Sequence, residues 1–265
     1  VEGAILKLGT GEEISGADLA RVVEEARVVR RILQAFPTHY PQHILEQSAI
    51  AGALVAGRID ADAQGVANEV VRRLDEVAVE YERARGNFTE SEVLAKMTDL
   101  VRILKKSIAS GLAGTSYEDR VLHHQSGRFE QMMNAGRLLD GGALNRIVLY
   151  VTAMMEVKSS MGVIIAAPTA GACAALPGAV IGLAEAMGQD ETDMAKAMLA
   201  AGLVGVFIAQ RWTFAAEVGG CQAEGGSAAS MAAAALVTLA GGTRDQALAA
   251  ASLAFQSMLG LICDP

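Results

Sequence analysis

The chain has 265 residues, enough for one large domain, or a core with a smaller appendage, around a sizeable interior. A formal net charge of −8 argues against nucleic acid and anionic membranes as partners, and no basic cluster is dense enough to follow phosphates. Three cysteines in this length are no disulfide framework, and the opening VEGAILKLGTGEEIS shows no charged-then-apolar leader, so a reducing cytoplasm is the expected compartment.

The first predicted helix starts at Ser15–Asp18 (SGAD), which has the form of a capping box. Leu19, Val22, Val23, Ala26, Val29, Ile32, Leu33 and Phe36 follow at helical spacing, and the prolines of FPTHYPQH end the run. His39 and His43 flank those prolines and read as surface or packing residues. A second helix is expected from about Asp60 to Arg85. A second box, TESE at Thr89–Glu92, precedes Val93, Leu94, Met97, Leu100, Val101 and Leu104. The segment Gly111–Gly142 is polar and dotted with glycine, and carries VLHHQSGRFEQ.

Beyond Asn145 another helix leads into a different kind of sequence. From Ser159 onward only 11 of 107 residues are charged, and the stretches Ser159–Ala184 and Gly225–Thr243 have none. Either is long enough to span a bilayer. The first, however, is broken by Pro168, Gly171, Pro177 and Gly178, and the second is mostly Ala and Ser, so buried core helices are the expectation. Pro168 and Pro177 bracket a stiffened loop. Helices are predicted at about Thr192–Gln210, Gly226–Leu239 and Arg244–Leu261, between glycine-rich turns. A short run at Val163–Ala166 is the one strand candidate. Scarce aromatics with abundant small residues and Met suit closely packed helices, so the expected class is all-α with buried glycine-rich loops. Residues 1–144 are expected to form an N-terminal helical region packed on a core at 145–265.

The chemistry concentrates in EVGGCQAEGGSAASMAAAA, from Glu217 to Ala235. Gly219 and Gly220 precede Cys221, and a helix is predicted to begin just after it. Glycines let backbone approach a bulky ligand, and a helix start favours a thiolate. The alternative is a small buried cysteine in a tight turn. Cys263 repeats the arrangement: it follows a helix and Gly260 and precedes Asp264 and Pro265. Two such thiolates could share zinc or an iron–sulfur cluster, although no C-x-x-C pair is present.

Three motifs together, PTAGACAALPG (Pro168–Gly178), GGCQAEGGSAASMAAAALVTLAGGT (Gly219–Thr243) and SMLGLICDP (Ser257–Pro265), resemble the α subunit of iron–sulfur-dependent L-serine dehydratases in order and interval across residues 145–265. The resemblance implies an all-helical catalytic subunit whose 4Fe–4S cluster is held by three cysteines with one iron open. Cys221 and Cys263 match two of those ligands. The third lies past the CDP motif in the family, so a copy ending at Pro265 is expected to hold the cluster poorly or not at all. Cys173 is either a substitute ligand or a packing residue.

The implied reaction removes the Cα proton and the β-hydroxyl of L-serine, with the open iron as Lewis acid, and the resulting aminoacrylate becomes an imine that hydrolyses to pyruvate and ammonia. No pyridoxal phosphate is needed, and no lysine stands in a context that would bind it. His124, with His123 beside it, is the candidate base because imidazole titrates near neutral pH; otherwise the two are a surface pair. Adjacent positions on a helix point differently, so one of them is expected to face the site. Ser159, Ser160, Thr169 and Gly171 are candidates for holding the substrate carboxylate. Glu224 either orients the substrate ammonium or is a capping or paired carboxylate. KSS at 158–160 stands where the family has an Asn- and Ala-containing run, which leaves the substrate open. A separate β subunit, a homo-oligomer, or both are the expected protein partners. The competing functions are an L-cysteine desulfidase of the related iron–sulfur group, a cluster-free helical scaffold, and a membrane carrier.

Overall fold

The computed structural model describes residues 73–121 and 123–264. Apart from 84–87, which group with residues 1–72, these residues form one compact unit. The expectations at Ser15–Phe36, at His39 and His43, and for the first part of the Asp60–Arg85 helix lie outside the described residues.

Every regular element described is helical. The elements are α1 Leu74–Gly86, α2 Glu90–Ala113, α3 Gln125–Asn134, α4 Ala143–Ser159, α5 Ala175–Ala186, α6 Glu191–Arg211, α7 Ala216–Cys221, a π-helical turn Gln222–Gly226, α8 Ser227–Leu239 and α9 Arg244–Ser257. Helix α8 packs against α5, α6 and α9, while α4 lies between α2 and α5.

Local chemistry sets three of the starts. At α2, Thr89 accepts from the Glu92 amide (3.3 Å) and Glu92 accepts from the Thr89 amide (2.8 Å), the box the sequence predicts. These bonds hold the Glu92 carboxyl below its ordinary range. Asp190 with Asp193 caps α6 in the same way, and Thr243 with Gln246 caps α9.

Small residues set how closely the helices pack. A Cβ on Gly178 of α5 would lie 2.6 Å from Val151 Cγ2 of α4, and one on Gly182 would lie 3.0 Å from Ile147 Cγ1. Gly111 of α2 lies against the Ala153 backbone of α4 in a contact that leaves no room for a Cβ. Around these crossings Val101, Leu149, Met154, Val180, Ile181 and Met194 are buried, each side chain stabilising the fold by about 1.5–3 kcal/mol. Tyr150 of α4 donates to Glu185 of α5 at 2.5 Å; burial, then this bond, push its phenol up to about 12.

Four details depart from the sequence reading. Helix α9 stops at Ser257 rather than Leu261, because Gly260 turns the chain at φ +89°. Met258, Leu259 and Leu261 continue the apolar spacing without the helix, which misled the periodicity. No strand forms at Val163–Ala166. Pro177 is the third residue of α5, where a missing N–H costs little, and is not the far edge of a loop. The polar segment 111–142 contains α3, anchored by buried Ser126.

Among the described residues one helix, α6, is long and apolar enough to cross a membrane, and 56% of its apolar window is buried inside the bundle. The charge-free stretches contain only the 12-residue α5 and 13-residue α8, too short to span.

Candidate active site

Gly220 breaks α7 with φ +64° and ψ −163°, and Cys221 resumes helical angles (φ −64°, ψ −20°). Cys221 therefore begins a new helical run through the π-turn into α8, close to the sequence expectation. Its amide, exposed at that start, donates to Cys263 Sγ at 3.3 Å. The two sulfurs meet, paired as a disulfide, with Cα atoms 6.0 Å apart across 42 residues of sequence. Both cysteines are exposed, which corrects the alternative of a buried Cys221.

Glycine is required at 220 for two reasons. Its φ is left-handed, and a Cβ there would strike the Cys263 carbonyl oxygen and lie 2.8 Å from Asp264 Cα. Gly219 gives similar room to the Trp212 ring, 2.5 Å from where its Cβ would stand. Beside the pair runs an apolar groove of about 740 Å³, lined by Trp212, Gly219, Gln222, Phe255, Leu259 and Asp264 among others.

The third cysteine is elsewhere. Cys173 is fully buried in the apolar core, and burial pushes its thiol up. Among the described residues, no group of three His, Cys, Asp or Glu side chains is close enough to hold an ion. The described residues thus offer two convergent, solvent-facing soft sulfurs; once reduced, this donor set fits one side of an iron–sulfur cluster.

Gly171, in a turn closed by Thr169, comes against the Glu224 side chain. The Ala172 amide donates to Thr169 Oγ1 (3.3 Å) and the Ala167 amide to the Thr169 carbonyl (3.3 Å), closing a turn that presents Gly171. A Cβ on Gly171 would stand 2.6 and 2.7 Å from the two Glu224 carboxylate oxygens. Glu224 lies three residues past Cys221, half-buried; its backbone carbonyl accepts from the Ser227 amide, but among the described residues its carboxylate accepts no hydrogen bond and forms no ion pair. It is therefore neither the cap nor the paired carboxylate offered as the alternative.

Ser159 and Ser160 are placed differently. Their hydroxyls donate to the Met155 and Val157 carbonyls (both 2.9 Å), finishing the last turn of α4. Ser160 lines a second cavity of about 460 Å³ with Lys106, Ser107, Thr115 and Gly162.

The adjacent histidines point differently, although neither lies within a helix: His123 is exposed, and half-buried His124 stands at the N-cap of α3. His124 Nε2 lies 3.0 Å from the Gly111 carbonyl, 3.0 Å from Ser126 Oγ and 3.3 Å from Glu156 Oε2. Ser126 Oγ donates to Glu156 Oε2 at 2.6 Å, and the Gln125 amide donates to Glu156 Oε1 at 2.5 Å. Glu156 of α4 thus caps the start of α3 and joins buried Ser126 and the partly exposed His124 in an imidazole–hydroxyl–carboxylate group. No hydrogen bond links this group to the cysteine pair or to Glu224. Sequence reading missed Ser126 and Glu156. The available signal was one acid, Glu156, on the apolar face of LNRIVLYVTAMMEVKS.

Residues 42–265 match the family model described as serine dehydratase alpha chain, well before the motif-bearing half at residue 145. The L-serine dehydratase alpha chain of Peptoniphilus asaccharolyticus is 35% identical over 201 residues, covering 76% of this chain and 69% of its own. The probable L-serine dehydratase alpha chain of Bacillus subtilis (strain 168) is 30% identical over 192 residues, 72% of this chain and 64% of its own. L-serine dehydratase TdcG of Escherichia coli (strain K12) is 38% identical over 121 residues, 45% of this chain and 26% of its own. This chain therefore spans about two thirds of the two alpha chains and about a quarter of the last protein. With the convergent cysteines and the all-helical fold already in hand, these matches establish that the chain belongs to the serine dehydratase alpha chain family.

Proposed function

We propose that the chain is the catalytic α subunit of an L-serine ammonia-lyase, turning L-serine into pyruvate and ammonia, with a 4Fe–4S cluster partly held by Cys221 and Cys263. The observation that carries this reading is the meeting of those two sulfurs across 42 residues. A β subunit is the expected partner, and the thiolates suit a reducing cytoplasm.

When bound, the cluster supplies a Lewis acid for the departing hydroxyl. The chain's own residues bind and orient the substrate and move the proton. Glu224, a carboxylate with no cation beside it among the described residues, holds the substrate ammonium. Thr169 accepts from Ala172 through Oγ1 and keeps its hydroxyl proton, which it donates to the substrate carboxylate. Gly171 leaves the space between them. Ser159 and Ser160 have spent their protons on α4 carbonyls and act only as acceptors in this arrangement.

His124 is the base of this proposal. Its Nε2–H faces the Gly111 carbonyl, which leaves Nδ1 as the nitrogen that takes the Cα proton. Glu156, 3.3 Å from Nε2, stabilises the imidazolium so formed, and Ser126 fixes the ring. His123 stands outside this group. Loss of the Cα proton and of the hydroxyl as water leaves aminoacrylate, whose imine tautomer hydrolyses to the products.

The test is anaerobic reconstitution with iron and sulfide, followed by assay on L-serine, L-threonine and L-cysteine. Pyruvate from L-serine, falling at least a thousandfold in Cys221→Ala, is the expected result. A fully loaded protein that makes no pyruvate, or that releases sulfide from L-cysteine faster, overturns the proposal in favour of a scaffold or a desulfidase.

A further inference from the structure

Asp264 makes more contacts than its place next to the chain's last residue suggests. Its Oδ2 accepts from the amides of Gly260 and Leu261, both at 3.0 Å. Its Oδ1 accepts from the amide of Gln222 at 3.2 Å, 42 residues away in sequence. Its own amide donates to the Leu261 carbonyl at 2.9 Å. One carboxylate therefore closes the turn that carries Cys263 and fastens that turn to the helical run that begins at Cys221. Gly220 supplies the steric half of the fit, because only a residue without Cβ lets the Cys263–Asp264 backbone come so near. Among the described residues, the other polar ties between the two segments are Cys221 N–H to Cys263 Sγ and the Gln222 side chain to the Phe255 carbonyl. The first depends on Cys263 already being in place, and the second is anchored before α9 ends.

We propose that Asp264 is the positioning residue of the centre: its carboxylate fixes Cys263 Sγ against Cys221, so that both sulfurs face one point before any inorganic group is bound. This rests on the reading of the two cysteines as a shared ligand pair. Asp264 acts in this proposal through Cys263. Its bonds are charge-assisted, and removing the one that crosses between segments weakens the juxtaposition by an order of magnitude, about tenfold.

The closeness of two thiols is measured without cluster or turnover. The cluster-free chain is equilibrated anaerobically with reduced and oxidised glutathione, where two cysteine thiols and one oxidised glutathione give the Cys221–Cys263 disulfide and two reduced glutathiones. The fraction paired is read by mass spectrometry after alkylation. Asp264→Ala is expected to lower the equilibrium constant about tenfold with helicity and urea midpoint unchanged. Asp264→Asn, which keeps one acceptor oxygen, should lose less. An Asp264→Ala constant equal to the parent's overturns the proposal, as does a loss matched by an equal loss of helicity in both variants. If Asp264→Ala does not fold, Asp264→Asn decides: an unchanged constant overturns the proposal and a lowered one supports it. Failure of the parent chain to form the pair removes the ligand-pair reading as well, whereas a normal parent with unaffected variants removes only the role of Asp264.

Discussion

At the scale of single residues, the site is built from groups that lack protein partners beside groups that have too many. The Glu224 carboxylate faces Gly171 with neither hydrogen bond nor cation among the described residues, and an unpaired, half-buried carboxylate is costly unless a partner completes it. Glu224→Gln is therefore expected to raise KM for L-serine by about tenfold or more, with a smaller change in kcat, because it removes a ground-state contact to the ammonium. A KM equal to the parent's would show that Glu224 does not hold the substrate. The cysteines stood out in the sequence, since glycine pairs and helix ends surround them and motif order singles them out. Asp264 was legible only as a helix stop. Ser126 and Glu156 were not legible, because their meeting depends on how α3 is laid on α4, and no spacing within either helix encodes that.

At the scale of elements, small residues decide where helices cross. Gly111 lies so close to the Ala153 backbone that a methyl group there must push α2 from α4. The same crossing carries the Gly111 carbonyl that accepts from His124. Gly202, in the middle of α6, has open space where its Cβ would be. The two glycines should respond oppositely to alanine in urea unfolding. Gly111→Ala is expected to destabilise by about 1–3 kcal/mol through overpacking, and Gly202→Ala to stabilise by about 0.5–1 kcal/mol through helix propensity. Equal effects at both sites would mean that the α2–α4 crossing is looser than described. Element starts were readable wherever a side chain caps the backbone, as at Thr89. The α5 start was missed because Pro177 signals both a loop and a first helical turn. The α9 end was missed because Gly260, not the loss of apolar spacing, stops the helix.

At the scale of the molecule, the low-charge half is a helical core. The bundle buries α6 and the Ala-rich α8, and the same packing brings the segment after α9 back across α7. Composition alone indicated the helical class, since abundant Gly, Ala and Met with few aromatics give little material for sheets. What composition could not show is which of three cysteines belong together. That follows from the fold, which buries Cys173 in the core and turns Cys221 and Cys263 outward onto each other.

The most direct measurement is therefore to map the thiols. The reduced, cluster-free chain is oxidised mildly with diamide, alkylated after denaturation, digested and analysed by mass spectrometry. The structure predicts one cross-linked product joining the Cys221 and Cys263 peptides, with Cys173 recovered alkylated. Cross-links that include Cys173, or Cys221 and Cys263 recovered unlinked from folded protein, would contradict the shared centre on which the proposed chemistry rests.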